Sequence, residues 1–200
     1  AAPGEARYPP LLRPGDRPLP EARVEVSGLV RQPQRMTEIL EMPRNHEHSG
    51  EAAEAIRSRH QAEVTAVAAD ITTEAGRAEV LAAAGAVDIL VTNAGGPPPG
   101  MWSDWEREDF IKALDANMLT PIALMKALLP GMIARRWGRV VNITSVSVKA
   151  PVAVLGLSNS ARAGLTGYVA GTSRQVAPHG VVINNLLPGI HATDRAVALD

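Results

Sequence analysis

The chain contains no cysteine, a single phenylalanine and only 3% aromatic residues. Without cysteine there is no disulfide framework, no thiolate nucleophile and no Cys-ligated zinc. With so few rings, the core has to be built from Ala, Val, Leu and Ile, side chains that suit helices packed closely on a parallel sheet. Net charge is lacking too. The 20 Lys and Arg residues stand against 21 Asp and Glu, for a formal charge of −1 at pH 7. Neither nucleic acid nor an anionic membrane surface finds an electrostatic footprint there. No apolar run approaches the roughly 18–20 residues of a membrane span, and residues 1–20 lack the charged-then-apolar layout of a secretory signal. The expectation is a cytoplasmic enzyme with one globular domain, for which 200 residues suffice to bury a core.

What is present falls into two unlike parts. Eight of the 16 prolines (Pro3, Pro9, Pro10, Pro14, Pro18, Pro20, Pro33 and Pro43) lie in residues 1–49. Each removes a backbone donor and fixes φ, which forbids a long helix or a central strand. Arginines are scattered through the same stretch without helical or strand periodicity, and only residues 21–30 (EARVEVSGLV) alternate enough for a short strand. Residues 1–49 therefore read as an irregular or disordered Pro/Arg-rich segment. His46 and His48 flank Glu47 there, a pattern that in irregular chain is coincidence rather than a metal site, and no metal is expected.

From Gly50 the pattern turns regular. Residues 51–60 read as a short amphipathic helix, 63–68 (EVTAVA) as a β-branched strand ending at Asp70, and 73–84 as a helix capped by Thr72 or Thr73. Residues 87–92 (VDILVT) form a buried strand, after which Pro97, Pro98 and Pro99 force an extended loop. A long helix over 106–136 bends near Pro121, and its acidic start at Asp104–Asp109 suits the helix dipole. A strand over 139–144, a helix over 158–176 and a strand over 181–187 complete the order. Such alternation predicts an α/β, Rossmann-like parallel sheet flanked by helices. Ligands of open sheets bind beyond the carboxyl ends of the strands. Asp70, Asn93, Ser145 and Pro188-Gly189 each follow a predicted strand, so all fall on one rim.

Together, in this order, these residues resemble the short-chain dehydrogenase/reductase family, and within it the 3-oxoacyl-carrier-protein-reductase-like members, from about Gly50 to the end. The resemblance implies oxidoreduction of a small-molecule carbonyl or alcohol with NAD(P)(H), by a homodimer or homotetramer. Asp70 resembles the acid that accepts from the adenine amino group. Thr92-Asn93-Ala94-Gly95 resembles the family's Asn-Asn-Ala-Gly turn, with Thr first. Asn117 resembles the Asn that holds a water of the proton relay, and Ser145 the Ser that hydrogen-bonds the substrate carbonyl. Pro188, Gly189 and Thr193 resemble the Pro-Gly turn and the Thr that grips the nicotinamide carboxamide.

The departures decide the chemistry. Where the family carries Tyr-x-x-x-Lys, this chain has Ser158 and Arg162. A serine hydroxyl is a far weaker acid than a phenol, whose pKa starts near about 10, and it is too short to fill the phenol's place. Arg162 can extend its fork to ribose hydroxyls but does not titrate. Tyr168 lies on another side of the same predicted helix and reads as a packing residue. Lys149, just after Ser145, reads either as a solvated loop lysine or as a source of electrostatic stabilisation or a proton. Trp102 and Trp105 line a substrate pocket or cover the sheet end.

The family's glycine-rich phosphate loop has no counterpart, since Gly4, Gly15, Gly28 and Gly50 are too dispersed. Coenzyme preference and substrate are thus unreadable here. The sequence leads to two expectations: that residues 1–49 are foreign to the family, as from a shifted reading frame or aberrant start, and that the domain is incomplete at both ends. Beside the oxidoreductase reading stands a degenerate family member acting only as an oligomerisation partner or non-functional product.

Overall fold

A computed structural model of the chain describes residues 46–60 and 63–189. Three strands, β1 (Ile89–Thr92), β2 (Gly138–Ile143) and β3 (Val181–Leu186), form one sheet in the order β1-β2-β3. Both pairings are parallel, with Leu90 opposite Val140 and Val140 opposite Ile183. Parallel neighbours need long crossovers, and helices supply them. Between β1 and β2 run α3 (Arg107–Leu114), a π-turn (Asp115–Leu119) and α4 (Thr120–Ala134). Between β2 and β3 runs α5 (Gly156–Val176). Two further helices, α1 (His46–His60) and α2 (Glu74–Ala84), precede the sheet.

The ends of these elements follow local chemistry. Thr73 caps α2 by accepting the Gly76 N–H at 3.0 Å, as a side-chain oxygen at an N-cap should. Ahead of α3, Asp109 reaches back to accept the Glu106 N–H at 3.0 Å, and acidic residues in that first turn suit the dipole. Where a bend was expected near Pro121, a π-turn over Asp115–Leu119 comes just before it. The proline has no N–H to continue the ladder and sits in the first turn of α4, where none is needed.

Leu90, Val140, Val181 and Ile183 from the sheet meet Val80 of α2, Leu124, Met125, Leu129 and Met132 of α4, and Leu165, Val169 and Val176 of α5 in one buried cluster. At about 1.5–3 kcal/mol for each fully buried aliphatic side chain, this cluster holds α2, α4 and α5 to the sheet. Tyr168 packs at its margin, as its place on the helix predicts.

Three expectations need revision. The helix expected over 51–60 begins at His46, inside the stretch read as irregular; residues 1–45 lie outside the described residues. The strand expected over 63–68 is not formed. Residues 63–70 carry no ladder, because a β-prone sequence becomes a strand only beside a partner, and no described strand pairs with it. The helical run Arg107–Ala134 is also long and apolar enough, by length and composition alone, to cross a membrane. Its apolarity serves the core, since Met125 and Met132 are fully buried.

Candidate active site

The polar rim begins inside the sheet. The buried Asn142 is opposite Thr92 on one side and Asn185 on the other. Its Oδ1 accepts the Thr92 hydroxyl at 2.8 Å, and its Nδ2 donates to Asn185 Oδ1 at 3.1 Å. This side-chain ladder crosses all three strands near their carboxyl ends. It went unread in the sequence, although the Asn residues that interrupt the apolar runs RVVNI and VVINN were its signal: a buried amide persists only where its bonds are satisfied.

Beyond the ladder the chain leaves the sheet at Asn93, Thr144 and Leu187. Thr144 donates its N–H and its hydroxyl to the Leu186 carbonyl at 2.8 and 2.9 Å, and Val146 N–H donates to the Pro188 carbonyl at 2.9 Å. Ser145 is extended and starts a 3₁₀ turn, Val146–Val148, by accepting the Ser147 N–H at 3.1 Å. Its lone pair serves the turn, and its O–H is left to donate elsewhere.

Arg162 draws these segments together. It is 8% exposed and reaches from α5 beneath the rim. Its Nη1 donates to the carbonyls of Ile143 at 2.7 Å and Thr144 at 2.9 Å, and its Nη2 to that of Ala94 at 3.1 Å. Its Nε donates to Ser158 Oγ at 3.2 Å, one helical turn back. Four of the five guanidinium N–H groups are thus directed to the protein. The ends of β1 and β2 and the start of α5 are fastened by one side chain.

The mouth is shaped by an indole. Trp105 lies against Gly156, where a Cβ would stand 2.7 Å from the ring's Cη2, so only glycine permits this approach. The ring also meets Phe110 edge-on at 6.4 Å. Gly100 N–H donates to the Val154 carbonyl at 2.9 Å, tying the loop after β1 to the turn before α5. Trp102, by contrast, is 84% exposed. Of the two indoles, Trp105 covers the start of α5 and Trp102 stands free of the core.

Asp70 joins the rim through its neighbour. Ile71, the next residue, lines a cleft with Val91, Asn93, Ala94, Ala116 and Thr120. Asp70 Oδ1 accepts the Thr72 hydroxyl at 2.7 Å and the Thr72 N–H at 3.0 Å. These two bonds, the hydroxyl's first, hold the carboxyl below the ordinary aspartate value against a small opposing effect of burial. Asn117 is buried within the π-turn, its Oδ1 without a hydrogen-bond partner among the described residues.

Asn93, Ala94, Ser145, Ser158, Arg162 and Pro188 therefore converge on one rim, with Asp70 and Asn117 at its flank; Gly95 and Gly189 continue the two turns. Thr193 lies outside the described residues. Two features of this rim would suit the adenosine side of a dinucleotide. Asp70 Oδ2 accepts nothing from the described residues while Oδ1 serves Thr72, and Gly95 puts no side chain between backbone and ligand. At the opposite end, Arg162 presents fixed charge whose donors are already directed inward.

Three comparisons bear on these observations. The family model described as short chain dehydrogenase matches residues 33–200. The acetoacetyl-CoA reductase of Cupriavidus necator is 35% identical over 117 residues, 58% of this chain and 47% of that protein. The 3-oxoacyl-(acyl-carrier-protein) reductase FabG of Vibrio cholerae is 34% identical over 116 residues, 58% of this chain and 48% of its own. The chain spans about half the length of these curated relatives. A crystal structure of L-sorbose reductase from Gluconobacter frateurii, complexed with NADPH and L-sorbose, shares the fold. Its TM-score is 0.72 at 24% identity, covering 76% of this chain and 59% of that one.

Proposed function

Since the chain belongs to the short-chain dehydrogenase family, we propose that it carries the site of an NAD(P)-dependent oxidoreductase acting on a small carbonyl or alcohol, of the 3-oxoacyl reductase type. The observation that carries this reading is the convergence of Ala94, Ser145, Ser158 and Pro188 at the carboxyl ends of β1, β2 and β3, fastened by Arg162. Ligands of open parallel sheets bind at that edge. The acetoacetyl-CoA and 3-oxoacyl relatives are both, by name, reductases of a 3-oxo acyl group. A cytosolic setting belongs to the same reading.

The roles follow from the donors and acceptors available. When bound, NAD(P)H would supply the hydride for a carbonyl carbon. Ser145 donates its free O–H to the carbonyl oxygen, polarising the bond. Asn117 offers Oδ1 as the buried acceptor for a water of a proton chain. Asp70 Oδ2 would accept a hydrogen bond from the adenine amino group, and the Asn93-Ala94-Gly95 backbone would hold the neighbouring ribose. Pro188 and Gly189 would take the nicotinamide end, to which the family resemblance also assigns Thr193. Arg162 would act there through its charge, and Ser158 Oγ accepts from Arg162 Nε.

Fluorescence titration of the full chain with NADPH and with NADH tests the reading. Saturable quenching or energy transfer from the tryptophans by either cofactor is the expected result, and none with both refutes it. A second reading, a partner subunit without turnover, draws on one observation. Ile111 and Leu119, both on the long helical run, are 45% and 48% exposed, and a second copy would cover them. Light scattering with a reductase assay separates the two: an oligomer without turnover favours the partner subunit.

A further inference from the structure

We infer that Lys149 is the proton donor of this site, in place of the residue pair that Ser158 and Arg162 have displaced; the inference rests on the carbonyl-reducing reading above. The argument is one of elimination among groups at the rim. Reduction of a carbonyl leaves an oxygen that must take a proton. Arg162 does not titrate, and its Nε and Nη groups point to Ser158 Oγ and the carbonyls of Ile143, Thr144 and Ala94. Ser158 Oγ is engaged by that guanidinium, and an aliphatic hydroxyl is a poor acid. Along the described loops that leave the strand ends, residues 70–73, 93–106, 144–155 and 187–189, Lys149 is the one amine, imidazole or phenol.

Its placement suits the task. Lys149 closes the 3₁₀ turn that Ser145 opens, donating its N–H to the Val146 carbonyl at 2.9 Å. With about 2 Å of rise per residue in such a turn, the two Cα atoms lie within about 8 Å, inside the reach of an extended lysine stem. The turn is not free to drift, because Val146 N–H is held by the Pro188 carbonyl and Thr144 by Leu186. The Lys149 side chain is exposed and makes no ion pair among the described residues. Ser145 O–H and Lys149 Nζ can therefore meet one carbonyl oxygen. In the step, the carbonyl carbon gains the hydride and its oxygen takes one proton from Nζ, leaving an alcohol and a neutral amine that solvent reprotonates.

The chain's own lysines provide the test. They are Lys112, Lys126 and Lys149, and the first two stand exposed on α3 and α4. Ethyl acetoacetate, a 3-oxo ester, is incubated with the full chain and cyanoborohydride, and modified lysines are mapped by mass spectrometry. The expected result is Lys149 modified at least about five-fold more than Lys112 or Lys126, with the excess falling toward parity in S145A. Equal modification of all three overturns the inference, and so does an excess that S145A leaves intact. This readout needs no cofactor, so it stands apart from the NAD(P)H titration whose failure would sink the oxidoreductase reading instead. In turnover, K149A is expected to lose about 100-fold or more in kcat with KM within about three-fold, and added ethylamine to restore part of it. Wild-type kcat in K149A overturns the assignment.

Discussion

Replacing Arg162 with Met is the sharpest test of what this side chain does. Met has similar length and apolar volume but no donor. The substitution strips the Ile143, Thr144 and Ala94 carbonyls of bonds at 2.7, 2.9 and 3.1 Å and frees Ser158 Oγ. A buried acceptor left without its donor costs about 1–3 kcal/mol, so the three carbonyls together stand to lose about 3–9 kcal/mol. Two effects pull that down: a buried guanidinium no longer has to be desolvated, and local relaxation admits water at the rim. A net loss of about 3–4 kcal/mol is expected. For a chain of this size, roughly 2–4 °C of Tm accompanies each kcal/mol, which gives a drop of about 6–16 °C in a thermal melt followed by circular dichroism. Arg162→Lys keeps the charge but replaces a planar fork by a point donor, and should lose about half as much. If Arg162→Met melts within about 2 °C of the parent chain, the fastening role is wrong.

Gly156→Ala is expected to push Trp105 off the start of α5, because a Cβ there would stand 2.7 Å from the ring's Cη2. The cost should be about 1–3 kcal/mol by urea titration, with a red shift of tryptophan emission, and the added Trp105→Leu change should recover at least half. A variant as stable as the parent, with unchanged emission, refutes the packing. Asp70 carries a pH dependence of known sign. Its folded carboxyl lies below the ordinary value because Thr72 donates to it, so its contribution is present above the unfolded aspartate pKa and is lost as pH falls through the lower folded one. The stability gap between the parent chain and Asp70→Asn, measured by urea titration, should therefore shrink between pH 6 and pH 2. A gap equal at both ends refutes the Thr72 bonds.

Much of this was legible because periodic hydrophobicity reports burial, and burial dictates the elements. ILVT, RVVNI and VVINN are strands whose partners lie within the described chain, and the helices between them have no other way to bury Leu124, Met132 and Leu165. The stretch EVTAVA also reads as a strand and forms no ladder. Strand propensity describes a surface that fits a sheet, whereas pairing is a property of two segments. Asn93, Ser145 and Pro188 were legible from position alone, since each lies just past a strand, whereas Asp70 follows no strand. What the sequence could not reveal was where Arg162 points. A guanidinium one turn from Ser158 has several reachable acceptors, and only the three-dimensional meeting of Ala94, Ile143 and Thr144 decides among them. The Thr92–Asn142–Asn185 ladder was hidden for the same reason, because register across three strands is a tertiary fact.

The two departures at 158 and 162 make physical sense as one change. A serine leaves the space of a phenol unfilled, and a guanidinium is longer and wider than the ammonium it stands in for. Arg162 extends that extra span to carbonyls at the ends of two strands and to the Ser158 oxygen itself. If Ser158 and Arg162 stand where the family carries Tyr and Lys, the pair would replace a titrating acid and a cation by a fixed positive charge built into the scaffold. Fixed charge can stabilise a developing oxyanion but cannot give up a proton. On the proposed reading, the charge and the proton, which the family's Tyr and Lys handle as neighbours on one helix, come here from two different elements. The charge stays on α5 with Arg162. The proton moves to the turn after β2, where Lys149 stands four residues from the serine that would hold the carbonyl. Arg162→Lys alone should then not create a reductase of the usual kind, because Ser158 would still lack the acid. Combining Ser158→Tyr with Arg162→Lys should make turnover independent of Lys149, measured as equal kcat with and without an added Lys149→Ala change. A double variant that still needs Lys149 would mean that the two solutions are not alternatives.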